Sequence, residues 1–449
     1  MKKFKTINFN QIFIIFILIQ PVLDVLTSLF IRNISSSLTV GIFVRLIFMA
    51  ITVIYSLVST NKKYKIKLLI YYILLAIYTI FYSIICYSNT GTTMILVEIK
   101  GLVKTLYLPI ILSSLLTLYK SDKIKINTKY LIYALFGYSI VIVFAKYFNI
   151  GYHSYVFGDK SGTVGLFFAA NEIGSILAIL SPFLLISYKY YKNNNFYILT
   201  YILLTFSVLE LGTKVPFLAF ILLLVLNILV KLYKTLILKD KKYIKDLSIS
   251  FINIIFIILI IGITPIGKNL DLNFIEKFAN RNQNVIISPS SETIENKVDT
   301  GTKHEPEDLP SVDYISGRGD LFKTNYEEYS NSKIIEQLLG TSYLTYDDNE
   351  IKEKKLVEMD FFDIFINHGI IGFTLILLPL ILLTLYIIYK YIRNIKYIFK
   401  NPEQLIYIYA YFIGLAISFI SGHVLTAPAV SIYVIISLIL NIQLIETKE

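Results

Sequence analysis

Long apolar runs recur along this chain, separated by short polar gaps. A helix needs about 20 apolar residues to cross a bilayer. Twelve segments approach that length, at about 10–31, 39–60, 66–88, 94–119, 130–149, 164–187, 196–211, 214–231, 247–265, 360–389, 404–422 and 427–445. The seventh and eighth are short and are separated only by Leu211-Gly212-Thr213-Lys214, which leaves a sharply turned pair open. Lys2, Lys3 and Lys5 precede the first run in the manner of a signal peptide. No small-residue cleavage site follows, and Asp24 interrupts the run, so a retained helix is expected. One long polar stretch, 266–358, divides the chain into 1–265, 266–358 and 359–449. Its first half, from Ser288 to Asp308, is too polar to bury a core. In its second half Phe322, Tyr326 and Tyr329 fall at helical spacing. Ile334, Ile335 and Leu338 continue the apolar stripe after a slip near Ser330-Asn331-Ser332. The spacing predicts an amphipathic, kinked helix that stops at Gly340 and lies on the membrane face or the helix bundle.

Composition agrees with that pattern. Hydrophobic residues make up 55% of the 449, charged residues only 16%, and the mean hydropathy is +0.66. An ordinary soluble domain carries about 25% charged residues, so a soluble enzyme is excluded. The formal charge of +11 raises the question of an acidic partner. With the N-terminus placed in the cytoplasm, the inner connections and tails hold 24 Lys and Arg and the short outer ones hold three: Arg32, Lys160 and Lys214. That asymmetry is the positive-inside pattern, and it argues against nucleic acid as a partner. It predicts an all-α polytopic membrane protein of about twelve transmembrane helices with both termini cytoplasmic. Residues 266–358 form one large extracytoplasmic loop between helices 9 and 10. That loop has 11 Lys and Arg against 18 Asp and Glu, a net charge of −7. The one cysteine, Cys86, excludes an intramolecular disulfide and reads as a packing residue. No metal-ligand cluster and no cofactor are expected.

Ionisable groups inside apolar spans are costly and therefore mark function or pairing. Here they are Asp24, Arg45, Glu98, Lys100, Lys104, Lys146, Glu172, Glu210 and Asp363, with His368 and His423. Under the predicted topology nearly all fall in the outer half of the membrane, which suggests a polar cavity open to the outside. Asp24 and Arg45 fall at similar depth and are expected to pair, and Glu98 is placed to neutralise Lys100. Lys100 and Lys104 are four residues apart on one helical face and suit an anion. Lys146 is expected to reach up to the headgroups. A pyrophosphate on a lipid carrier fits such a cavity, being anionic at headgroup depth with its chain in lipid.

Four stretches then carry a resemblance. They are Ala170-Asn171-Glu172-Ile173-Gly174, Leu211 to Ala219 around the Gly212-Thr213-Lys214 turn, Ser316-Gly317-Arg318, and Val357-Glu358-Met359-Asp360-Phe361-Phe362-Asp363 followed by His368-Gly369-Ile370-Ile371-Gly372. In this order around one external loop they resemble the O-antigen polymerase and O-antigen ligase family over roughly residues 160–375. The resemblance implies a metal-independent, inverting membrane glycosyltransferase. It would use undecaprenyl-pyrophosphate-linked oligosaccharide at the outer face of a bacterial cytoplasmic membrane, with a chain-length regulator as an expected partner. The family commonly has a basic residue where Lys214 stands, and its loop Arg is retained as Arg318. Ligases often carry a His about eleven residues before the Gly-x-x-Gly pair, where this chain has Glu358. That departure favours a polymerase of surface-polysaccharide repeat units over a lipid A ligase.

Glycosyl transfer needs cations for the leaving group and a base for the acceptor hydroxyl. Lys214, Arg318, Arg45, Lys100 and Lys104 are the candidate pyrophosphate ligands, and Arg318 suits bidentate phosphate binding. Glu358 and Asp360 are the candidate bases, with Arg318 as a further catalytic group. Asn171, Glu172 and Asp24 are supporting polar residues, and His368 reads as packing. A ligase to another acceptor uses the same chemistry. A lipid-linked oligosaccharide flippase would need polar groups through both membrane halves.

Overall fold

The computed structural model describes residues 8–34, 39–91, 95–155, 160–191, 195–239, 243–270, 318–347 and 350–446. Ser316, Gly317 and the polar stretch from Ser288 to Asp308 lie outside them. The described residues form an all-α polytopic bundle with two small antiparallel hairpins. Every apolar segment read from the sequence holds a helix. The first nine are α1 (Phe9–Ile34), α2 (Val40–Ser59), α3 (Lys62–Thr90), α4 (Ile95–Lys120), α5 (Thr128–Tyr147), α6 (Ala170–Tyr191), α7 (Asn195–Leu211), α8 (Lys214–Leu236) and α9 (Ile244–Ile260). A hairpin of β1 (Tyr152–His153) and β2 (Thr163–Gly165) lies between α5 and α6, and α10 (Pro265–Asn269) follows α9.

The part of the long polar stretch that is described holds α11 (Arg318–Asn331), α12 (Ile334–Leu339) and the hairpin of β3 (Leu344–Asp347) and β4 (Glu350–Glu353). The chain then returns to the bundle as α13 (Asp360–Arg393), α14 (Ile395–Lys400), α15 (Gln404–Ile420) and α16 (Pro428–Glu446). Among the described residues, eight helices are long and apolar enough to cross a membrane: α1, α2, α3, α5, α6, α8, α13 and α16. The apolar helices within α7, α9 and α15 are shorter, and α4 is long but carries Glu98, Lys100 and Lys104.

The centre of the bundle follows from apolarity on all sides. α16 is apolar around its whole circumference, and Val430 and Ile432 to Ile436 are wholly inaccessible. Such a helix belongs inside other helices. α16 packs on α4, α6, α13 and α15, and α6 packs on α5, α7, α8 and α15 as well. α3 and α9 instead turn large apolar side chains outward, among them Ile77, Phe81, Ile84, Ile258 and Leu259. An apolar belt of that extent has no place in water and is the lipid-facing surface.

The loop segment is docked onto this bundle. The predicted helix is present, with the slip at Ser332 as a break between α11 and α12, but its apolar stripe is only partly covered: Tyr326, Ile334, Ile335 and Leu338 stay exposed. Phe322 of α11 meets Phe362 of α13 at 4.7 Å between ring centres, and Tyr329 meets Phe365 at 5.0 Å. Gly340 ends α12 as expected, with φ +121°. It touches α13 where that helix itself breaks, at Gly369 with φ +63° and ψ −176°. Both backbones approach so closely that only glycine fits. A Cβ on Gly340 would stand 2.1 Å from the Asn367 carbonyl oxygen, and one on Gly369 would stand 2.6 Å from the Leu338 carbonyl carbon. The break frees carbonyl groups that an apolar surrounding cannot satisfy. The Thr341 hydroxyl donates to the Ile366 carbonyl at 3.0 Å, and the Tyr78 hydroxyl contacts the His368 carbonyl at 3.1 Å.

Replacing Gly340 with Ala combines a φ that L-residues avoid with a backbone clash. The expected loss is about 3 kcal/mol or more of folding stability. A lowered melting temperature of the detergent-purified protein reads it, and an unchanged one would mean that the loop is not seated here.

Candidate functional site

The charges predicted inside the spans gather at the end of the bundle that bears α11 and α12, called here the loop end. Most of them find a partner, as the low dielectric around them requires. Asp24 and Arg45 pair as expected, at 2.5 Å between Oδ1 and Nη2, both nearly inaccessible. The network is larger than the pair. Arg45 also donates from Nε and Nη2 to Gln20 Oε1 at 3.1 and 2.8 Å, and the Tyr138 hydroxyl donates to Asp24 Oδ2 at 2.6 Å. Gln20 precedes Asp24 by one helical turn, so the spacing carried that signal, but Tyr138 comes from α5 and had none.

Glu98 does not neutralise Lys100. Its Oε1 accepts the backbone N–H of Tyr343 at 2.8 Å and its Oε2 accepts the Tyr82 hydroxyl at 3.0 Å, with the buried Cys86 thiol at 3.6 Å. Glu98 thus fastens the loop to α4. The Tyr343 ring lies over Gly101, and its hydroxyl bridges Thr105 Oγ1 at 2.6 Å and His368 Nε2 at 2.8 Å. His368 is wholly inaccessible, with Tyr78 on Nδ1 at 3.0 Å, and serves as packing at this interface. Lys354, which the sequence did not single out, is buried here too. Its ammonium contacts Glu328 Oε1 and Thr341 Oγ1, each at 3.2 Å. Burial pushes it below the ordinary lysine range, against the opposing pull of Glu328. Lys146 is exposed and meets Glu210 at 3.2 Å.

The start of α13 is sewn to the segment between α15 and α16. Asp363 turns back to accept the N–H groups of Val357 at 2.8 Å and Met359 at 3.2 Å. Asp360 is wholly inaccessible, and both of its oxygens are occupied. Oδ2 accepts Val424 N–H at 2.7 Å and Leu425 N–H at 2.8 Å, while Oδ1 accepts the Thr426 hydroxyl at 2.5 Å and Thr426 N–H at 3.3 Å. A carboxylate so engaged and so closed off is an anchor for the 423–426 segment and is closed to any ligand. Glu358 stands beside it with φ +62° and accepts the Gly422 N–H at its carbonyl, 2.8 Å away. Its side chain is half exposed and pairs with Arg318 at 2.8 Å. Arg318 opens α11, is mostly buried, and keeps its Nε without a partner among the described residues.

Contacts run on from there. Gly422 lies against Asn171 and Ser175 of α6, with their side chains 3.9 Å from a Cβ built on it. One turn along, Gly174 lies against Leu211 and Pro216, which flank the Gly212-Thr213-Lys214 turn. That turn is held rigidly. Gly212 has φ +71°, its carbonyl accepts from Asn269 Nδ2 at 2.7 Å and from the Tyr155 hydroxyl at 3.2 Å, and the Leu211 carbonyl accepts from Ser154 Oγ at 2.6 Å. Lys214, first in α8, is thereby left exposed. Three of the sequence-flagged stretches and the Arg318 end of the fourth therefore form one contiguous surface. The connector is Ser421 to Ala427, a short polar gap between two spans that the sequence pattern did not mark as part of a site.

Asn171 and Glu172 occupy the first turn of α6. Glu172 is half-buried, and among the described residues no hydrogen bond or ion pair engages its carboxylate. Within its electrostatic reach are Asp24, Lys104, His423 and Arg45. Lys104 faces Lys100, Glu172 and Glu353, and its side chain is exposed although neighbouring Thr105 and Tyr107 are buried. It therefore projects into a recess between α4, α6 and the β3–β4 hairpin. Lys100 is half-buried on the same face. The recess offers ammonium groups, one unengaged carboxylate and one imidazole. Among the described residues no cluster of three or more metal-ligating side chains occurs.

Comparison with known proteins adds the following. A family model described as O-antigen ligase like membrane protein matches residues 6–448. No curated protein and no solved structure matches the chain.

The buried Asp24–Arg45 pair generates a direct test. Removing one charge leaves the other buried and uncompensated, at a cost of about 3–5 kcal/mol. Arg45→Met is expected to lower the melting temperature markedly, and Arg45→Met with Asp24→Asn to recover much of the loss. A double variant no more stable than the single would rule out the pairing.

Proposed function

Because the chain belongs to the O-antigen ligase-like family of membrane proteins, we propose that it is a polymerase of lipid-linked oligosaccharide repeat units in surface-polysaccharide synthesis. The donor is an oligosaccharide on undecaprenyl pyrophosphate, and the acceptor is a hydroxyl of a second repeat. In this reading the chain crosses the cytoplasmic membrane of a bacterium twelve times with both termini inside. The loop end then faces outward, where lipid-linked units arrive. A chain-length regulator would act beside it.

The observation that carries the reading is the contact path from Arg318 through Glu358, Gly422 and Asn171 to the Lys214 turn, with Lys104 and Glu172 in the recess beside it. Transfer forms a bond from the acceptor oxygen to the anomeric carbon and breaks the bond from that carbon to the pyrophosphate. The leaving group departs with the electron pair and gains negative charge. Fixed cations in a low-dielectric recess stabilise that charge more than they would in water. Lys214, Lys104 and Lys100 supply ammonium groups, and Arg318 supplies a guanidinium that binds two phosphate oxygens at once. Arg45 is committed to Asp24 and Gln20 and shapes the recess from behind. A single displacement inverts the anomeric centre, so no covalent nucleophile is needed. Glu358 holds Arg318 in position through Nη2 and leaves its other N–H groups for phosphate.

Glu358 in place of a ligase histidine favours polymerase over transfer to lipid A. Arg318→Ala and Lys214→Ala are each expected to abolish polymer in cells while single repeat units still reach the surface. Gel profiles of surface polysaccharide read this, and normal chain lengths in both variants would refute the reading. In a deletion strain, polymer retained on its carrier would indicate a ligase instead.

A further inference from the structure

The sequence offers Glu358 and Asp360 as bases, and neither is placed for it: Asp360 is saturated and closed off, and Glu358 is held by Arg318. The saturation of Asp360 has a second effect. The Thr426 hydroxyl spends its one proton on Asp360 Oδ1 at 2.5 Å, so only lone pairs remain on Thr426 Oγ1. His423 Nδ1 lies 3.4 Å from that oxygen and 4.0 Å from Asp360 Oδ1. Both neighbours are acceptors, so in the neutral imidazole Nδ1 carries the proton and Nε2 keeps its lone pair. The imidazole is about one-third exposed, whereas the carboxylate behind it is not exposed at all. Gly422, next to it, rests on Glu358 on one side and Asn171 on the other, which puts His423 between the Arg318 and Lys214 ends of the surface.

We propose that His423 is the general base that accepts the proton of the acceptor hydroxyl, and that Asp360 and Thr426 are positioning residues that hold its tautomer. This rests on the glycosyl-transfer reading. The acceptor O–H proton passes to Nε2 as its oxygen bonds to the anomeric carbon, and the electron pair of the breaking bond leaves with the pyrophosphate. The imidazolium then returns its proton to water in the recess. Two features equip the site for a transient imidazolium: the Asp360 carboxylate behind Nδ1 and the Glu172 carboxylate across the recess. The titratable groups facing His423 are Asp360 and Asp363 from α13 and Glu172 from α6.

The experiment uses the purified full-length protein in liposomes with one defined undecaprenyl-pyrophosphate-linked repeat, and measures elongation against pH. Wild type is expected to elongate with a rate that rises from acid to neutral pH. His423→Gln is expected to lose about 10²–10⁴-fold in kcat and the acid limb of the profile, with the KM for the lipid-linked repeat within about threefold, the split that separates chemistry from uniform binding. Thr426→Val keeps the imidazole but frees its Nδ1, and is expected to shift the acid limb while keeping the donor KM. Melting temperatures near wild type confirm that both variants fold. Full rate with the acid limb intact in His423→Gln overturns the inference and leaves the polymerase reading standing. So does loss of the acid limb in Glu172→Gln but not in His423→Gln. If Thr426→Val alone folds, an unchanged profile overturns it as well. No elongation by wild type at any pH overturns the reading and the inference together.

Discussion

A charge or a backbone polar group placed among apolar helices must find a partner, because neither lipid nor packed side chains supply one. That constraint organises the loop end of this protein. Asp24 in α1 obliges Arg45 in α2 to face it, and Tyr138 of α5 closes the remaining oxygen. Glu98 in α4 obliges the chain beyond α12 to come back and offer it the Tyr343 N–H. Asp360 at the start of α13 obliges the segment before α16 to fold around its carboxylate. Three acids on three helices thus set where the connecting segments lie, and the recess is what remains between them.

The same rule separates groups that build from groups that act. A polar side chain whose hydrogen-bonding capacity is filled by protein contributes shape. Arg45, Glu98, Asp360, Asp363 and His368 are of that kind. A polar side chain left exposed or unengaged in the recess is available to a ligand. Lys104, Lys214, Glu172 and His423 are of that kind. Arg318 stands between, tied by one ion pair to a half-exposed carboxylate, with its Nε unpartnered among the described residues.

Much of the fold was legible from the sequence because hydropathy in a membrane reports directly on burial in lipid. Each apolar run holds a helix, Gly340 stops α12, and the Asp24–Arg45 pair formed from equal depth alone. Of the Phe322, Tyr326 and Tyr329 stripe, Phe322 and Tyr329 found partners on α13, while Tyr326 stays half exposed against its own helix. What the sequence did not disclose is tertiary. Glu98 and Lys100 are two residues apart and so point to different sides of one helix, and only the loop decides which side is covered. Asp360 looked like a reactive carboxylate because a one-dimensional pattern cannot count hydrogen bonds arriving from 64 to 66 residues away. His423 looked like the end of a span, and its surroundings come from α13 and α6, distant in sequence. The candidate site was visible as a set of charges. Which of them are spent was not.

Cys86 faces inward toward Glu98 and Tyr82, with almost no surface of its own, and the chain has no other cysteine. A thiol so enclosed is inert to bulky maleimides while the fold is intact. The natural protein is accordingly a ready-made background for placing single reporter cysteines at the ends of its helices. Which connections face which side of the membrane then becomes a matter of which engineered thiols are labelled in intact cells, with no need to rebuild the core first.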